Sequence, residues 1–165
     1  IPVDKREAAR YFKMAADKGN ASATFNYGFM LMQGDGIEMD KEKASKYFKI
    51  AADKGHSSAM NSYGLMLKNG DGVSMDKEEA SKYFKMAADK GNSSAMNSYG
   101  LMLKNGDGVS MDKKEASKYF KMAADKGNSD AMNNYESMLK DGEEEWLFVQ
   151  LIRDKTKVVM FTWFY

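Results

Sequence analysis

From Ser57 to Asn69 the residues Ala59, Met60, Tyr63, Gly64 and Leu67 recur three and four positions apart. That spacing gathers them on one stripe of a helix with polar residues opposite, so the segment is predicted as an amphipathic helix, helix A. Gly70-Asp71-Gly72 breaks it, because glycine takes positive φ readily and weakens a helix interior. Asp76 then opens a second helix, helix B, as its N-cap. Glu79, three residues later, completes a capping-box-like pattern. Asp4/Glu7 and Asp112/Glu115 repeat the pair, whereas Asp40 is followed by Lys43 and keeps the cap alone. Helix B sets Ala80, Phe84, Ala87 and Ala88 on one face, and Gly91 ends it. Met14, Met86 and Met122, close to the aromatic pair of helix B, are expected to fill core space.

This two-helix pattern repeats. Gly19, Gly55, Gly91 and Gly127 are each 36 residues apart, as are Tyr27, Tyr63, Tyr99 and Tyr135. Segments 57–92 and 93–128 differ at one position only, Glu78 against Lys114. A fixed period of this size means stacked units, each too small to bury its apolar face alone. The predicted fold is all-α, an α-α superhelix: a solenoid of antiparallel helix pairs with a 36-residue repeat. Gly64 and Ala59 leave hollows on helix A that Tyr83 and Phe84 of helix B are large enough to fill. Emptying such a hollow by Phe84→Ala is expected to cost about 3–5 kcal/mol.

The unit Ala59, Tyr63-Gly64, Leu67, Gly70, Gly72-Val73, Asp76, Ala80, Tyr83-Phe84, Ala87-Ala88 and Gly91 resembles the Sel-1-like repeat, a relative of the tetratricopeptide repeat. Tyr63 stands for that family's Leu and Leu67 for its Tyr, a swap of bulk between neighbouring core positions. The resemblance implies a right-handed superhelix with helices A on the concave side. It also implies an adaptor role, which members of the family fill in protein degradation at the endoplasmic reticulum, in bacterial virulence and in the control of cell-wall synthesis.

Two regions are expected: a repeat array over 1–142 and a divergent end over 143–165. Ile1-Pro2-Val3-Asp4 aligns with Val73-Ser74-Met75-Asp76, so the chain reads as a fragment that starts in mid-repeat. The array is then a partial unit, three full units and helix A of a fourth. In that last helix Glu136 replaces the packing glycine, which is incompatible with a normal helix B. Leu147, Phe148, Leu151 and Ile152 instead predict a cap helix from about Glu143 to Lys155, with three acids suited to its N-terminal dipole. The uncharged run Val158 to Tyr165 has strand character. It folds back on the cap, inserts into another chain or partner, or is foreign to the repeat design. Self-association through Trp146–Tyr165 belongs to the second of these readings.

Charge narrows the function classes. Lys+Arg 25 against Asp+Glu 24 leaves a net charge of +1, which offers no basic footprint for nucleic acid. No stretch reaches the ~18 apolar residues of a membrane span. The absence of cysteine excludes disulfides and thiolate metal sites and favours a cytoplasmic setting slightly. His56, the one histidine, cannot build a triad or a multi-histidine metal site, and it holds the inter-helix position that Asn20, Asn92 and Asn128 hold elsewhere. The Gly-Asp-Gly loops at Asp35, Asp71 and Asp107 lack the clustered oxygen ligands of a calcium loop and the Lys-Ser/Thr of a phosphate loop. No cofactor or metal is expected.

The expected function is therefore a non-catalytic interaction scaffold binding a peptide or partner protein. An alternative follows from the resemblance: cysteine-rich relatives resemble penicillin-binding hydrolases, but the serines here have no base beside them. A subunit that activates a membrane-bound synthase is the adaptor reading in another setting.

By the tetratricopeptide analogy the groove is formed by helix A positions between the core residues. These are Asn61, Leu65 and Lys68, then Asn97, Leu101 and Lys104. Phe25, Phe29 and Met32 serve the first unit, and Asn133, Ser137 and Lys140 the last. The asparagine amides suit the unpaired backbone of an extended segment, and the lysines favour acidic side chains or a C-terminal carboxylate.

Overall fold

The computed structural model describes residues 4–142. Among them the helices follow in order: α1 (Lys5–Asp17), α2 (Ala21–Gln33), α3 (Lys41–Asp53), α4 (Ser57–Asn69), α5 (Lys77–Asp89), α6 (Ser93–Asn105) and α7 (Lys113–Asp125). An eighth, α8, covers 129–142. Helices α2, α4, α6 and α8 are the helices A; α1, α3, α5 and α7 are the helices B. No strand occurs among the described residues. The cap helix and apolar tail expected over 143–165 lie outside them.

Both helix starts are set by capping side chains. Asp40, Asp76 and Asp112 accept the backbone N–H of Lys43, Glu79 and Glu115 at 2.8–2.9 Å. Where Lys43 replaces the capping-box glutamate, its ammonium pairs with the cap itself, Asp40, at 2.8 Å. Helices A start on Asn20, Asn92 and Asn128, each accepting from the residue three positions on at 2.9 Å. Helices A end on a left-handed glycine, as at Gly70 with φ 73°. That conformation is open to glycine at no steric cost.

The core is a series of identical layers. Phe48, Phe84 and Phe120 are fully buried, each against the glycine of the preceding helix A. A Cβ placed on Gly28, Gly64 or Gly100 would stand only 2.7–3.1 Å from the nearest ring carbon. The glycine is what lets the two axes approach. Above each phenylalanine a tyrosine pair meets edge to face: Tyr27–Tyr47, Tyr63–Tyr83 and Tyr99–Tyr119, with centroids 4.8–4.9 Å apart. Each helix packs on its neighbours in chain order, as a solenoid requires.

Successive units are also fastened at their loops. Lys5, Lys41 and Lys77 reach Asp35, Asp71 and Asp107 of the next Gly-Asp-Gly loop at 2.6–2.9 Å. The Ser45 and Ser81 hydroxyls lie within hydrogen-bond distance of the Gly72 and Gly108 carbonyls. The Gly-Asp-Gly aspartates are thus bridge heads between units.

One expectation fails. Met14, Met86 and Met122 are not core filler: they are 46–48% exposed, as is Ile50 at the same repeat position. They follow the core-facing phenylalanine by two residues (half-buried Phe12 in α1, fully buried Phe48, Phe84 and Phe120 elsewhere), and two helical residues turn the side chain by about 200°, to the opposite face. Met66 and Met102, in contrast, are buried on helices A.

Candidate protein-interaction surface

Helices A bury one side and leave the other open. In α4 the buried residues are Ala59, Met60, Tyr63, Gly64, Met66 and Leu67. Leu65 between them is 39% exposed, and Asn61 and Lys68 flank it half-buried. One unit later Asn97, Leu101 and Lys104 are half-buried at the same positions. In α2 Phe29 is 45% exposed, with Phe25 and Met32 half-buried beside it. In α8 Asn133, Ser137 and Lys140 are all exposed.

Neighbouring units meet here in shallow depressions. Met32 of α2 faces Ser62, Leu65, Met66 and Asn69 of α4 across a depression of about 140 Å³, closed by Lys41 and Asp71 at one end. A related depression lies between α6, α7 and α8, where Lys104 takes the place of Met32, Lys113 that of Lys41 and Met138 that of Met66, with Lys114, Ser117 and Asp141 beside them. The first depression is thus mostly apolar and the last cationic at its rim. Ser62, Met66 and Asn69 were not among the residues expected from sequence. They sit on the flank of helix A that faces the preceding unit, three residues before Leu65 and one and four after it, which helical spacing alone assigns to the same stripe.

The first unit carries an aromatic group. Phe25 stacks on the His56 ring with centroids 4.8 Å apart, and lies 6.4 Å from Phe29 and 5.5 Å from Phe48. His56 takes the N-cap position of α4, its Nδ1 accepting the Ala59 N–H at 3.2 Å. Burial holds its pKa below the ordinary histidine value, so the neutral, accepting ring is favoured.

Of the three asparagines expected to form a ladder, Asn133 is exposed, whereas the carbonyls of Asn61 and Asn97 are buried or engaged. Asn97 Oδ1 already accepts from Asn134 Nδ2 at 2.9 Å, and Asn61 Oδ1 is buried with no partner. Neither carbonyl is offered outward in this arrangement. The lysines are also partly answered. Lys77, hydrogen-bonded to Asp107, holds that carboxyl below its usual range, and Lys68 adds to the same effect. Among the described residues no three of His, Cys, Asp and Glu converge as a metal site. No described helix is long and apolar enough to cross a membrane.

The family model described as "Sel1 repeat" matches four successive segments, 1–20, 21–56, 57–92 and 93–128. The chain belongs to the Sel1 repeat family. The matched boundaries fall on the B-to-A turns that Asn20, His56, Asn92 and Asn128 cap. Sel1 repeats are typically protein-interaction scaffolds. Among solved structures the chain is similar to a protective antigen present in uropathogenic Escherichia coli strains displaying an SLR fold (TM-score 0.78, 34% identity, 81% of this chain and 28% of that one). It is also similar to a Sel1 repeat protein from Oxalobacter formigenes (0.75, 34%, 80% and 54%). Cysteine-rich protein B of Helicobacter pylori shares the fold (0.63, 23%, 79% and 93%). The chain thus spans about a quarter and about half of the first two Sel1 proteins. No curated protein matches it in sequence.

Proposed function

We propose that this Sel1 array is an adaptor that holds an extended segment of a partner protein along its helices A, anchored by an apolar side chain at the first two units. The observation that carries this reading is the depression shared by Met32 and Leu65, next to the exposed Phe29. It supplies apolar walls with polar groups at its rim, the composition of a small recognition pocket. Phe25, stacked on His56 and tilted against Phe48, gives that end an aromatic floor. Towards α6 and α8 the same positions carry Lys68, Lys104 and Lys140, which favour acidic side chains or a C-terminal carboxylate further along the segment.

Selection of displayed peptides against the whole chain tests this. Peptides recovered with a large apolar residue preceding acidic ones, whose binding falls more than about tenfold with Phe29→Ser and Leu65→Ser together, support it. Undiminished binding in that double variant, with the helical signal intact, places the partner elsewhere.

A further inference from the structure

The faces of the helices B that point away from the core carry a second regularity. Met14, Ile50, Met86 and Met122 repeat at one position of α1, α3, α5 and α7, all 46–48% exposed. Four residues before them stand Arg10, Lys46, Lys82 and Lys118, and four residues after them Lys18, Lys54, Lys90 and Lys126. All eight are exposed. Residues four apart are neighbours on a helix surface. Each apolar side chain therefore has a cation one turn before it on its own helix, whereas Lys18, Lys54, Lys90 and Lys126 are the C-cap residues just beyond the helix ends, and the Lys54 ammonium donates to the Gly19 carbonyl at 2.9 Å.

The nearby acids offset this only in part, most in α3 and α5, where Glu42 and Glu78 precede Lys46 and Lys82 by four residues. Asp17, Asp53, Asp89 and Asp125 are each ion-paired at 2.8–2.9 Å with a further lysine, Lys13, Lys49, Lys85 and Lys121. Glu42 holds Lys46 at 2.7 Å. Lys114 occupies the corresponding position beside Lys118, so the one difference between the two near-identical units makes this face more basic there. Glu7, Glu79 and Glu115 lie two turns from the apolar residue.

We propose that this face docks on an anionic lipid surface. A protein partner needs a continuous dry patch at the centre of its interface. These four side chains do not form one: the helices that bear them pack on the intervening helices A rather than on each other, and cations separate them along each helix. A lipid headgroup layer has no such requirement. Each thioether or isoleucine enters the boundary layer alone, while the lysine stems lie along it with their ammonium groups at the phosphates. Cations near a negatively charged leaflet add attraction that salt removes. The face lies opposite the helix-A surface proposed for partner binding and can act independently of it.

Co-sedimentation of the whole chain with vesicles tests the proposal. Phosphatidylcholine vesicles are compared with vesicles of phosphatidylcholine and phosphatidylserine in equal parts, at low and raised salt. Binding is expected to the anionic vesicles only, weakened by salt, and more than about tenfold weaker in Met86→Ser with Met122→Ser. Both positions are exposed, so the melting curve of that variant should match the parent's, and the segment 143–165 is untouched. Equal binding to neutral vesicles overturns the proposal. So does anionic binding that the double variant leaves unchanged, which would assign it to charge alone or to the segment 143–165. Capture of an acidic peptide by this face without vesicle binding would make it a protein-docking surface and overturns the proposal as well.

Discussion

Asn134 Nδ2 donates to Asn97 Oδ1 at 2.9 Å, an amide bridge from α8 to α6 that does not recur one unit earlier. There Ser98 stands where Asn134 stands in the last unit, and the Asn61 carbonyl is buried without a partner. A buried acceptor left unpaired costs about 1–3 kcal/mol. Ser98→Asn should restore the bridge and stabilise the array by about 1 kcal/mol, read as a higher denaturant midpoint with unchanged slope. An unchanged or lower midpoint would mean that the longer side chain does not reach Asn61.

Gly100→Ala sets two effects of opposite sign against each other. Alanine is favoured in a helix interior by about 1 kcal/mol. Its Cβ, however, would stand 2.7–2.9 Å from two ring carbons of Phe120, a side chain buried on every side. Overpacking of this kind costs about 1–3 kcal/mol, so net destabilisation is expected. Gly72→Ala should be worse, because the neighbour is the Lys41 backbone, which cannot swing aside, and φ is +67°. Urea melts of the two variants should rank in that order.

Much of this architecture is legible in the residues. Asp76 and Gly70 mark helix ends by their own chemistry, and the predicted bounds of helix A, Ser57 to Asn69, coincide with α4. Gly64 and Phe84 declare their contact because one is too small and the other too large to be neutral. Apolar character alone does not place the outward methionines: Met86 follows Phe84 by two residues, and a helix carries it to the far side. The Asn134–Asn97 bridge depends on the register between two helices, which periodicity within one helix does not contain. The Met32–Leu65 depression is hidden for the same reason.

His56 gives the array a pH dependence that Asn20, Asn92 and Asn128 do not. Its folded pKa is lowered by burial, and an imidazolium has no lone pair left to accept the Ala59 N–H. Below the unfolded value, about 6.5, the unfolded chain binds the proton more readily. The cap's contribution is therefore complete above that pH and lost as pH falls through the folded pKa. Loss of the cap costs about 1 kcal/mol. His56→Asn should flatten the fall in melting temperature between about pH 7.5 and 5.5. An identical slope in parent and variant would show that the carboxylates govern this range.

The lysine positions of helix A make a separate, quantitative expectation. Lys68 and Lys104 occupy the repeat position that Met32 holds in the first unit, and both are half-buried, Lys104 at the rim of an inter-unit depression. Charges so placed are screened over roughly 8 Å at physiological ionic strength, so only groups bound directly at the rim feel them strongly. Asp107, ion-paired with Lys77, also feels the charge of Lys68, and we propose that Lys104 carries the larger share of the binding. Lys104→Glu should weaken an acidic peptide more than Lys68→Glu does, and the two together by more than about tenfold, or about 1.4 kcal/mol. The effect should shrink at high salt while the helical signal stays constant. Titration of the peptide into each variant at two salt concentrations measures it. Equal losses from the two single changes would show that Asp107 does not shield Lys68 in solution, and no loss from either would remove the lysines from the binding surface and leave Phe29 and Leu65 to carry it.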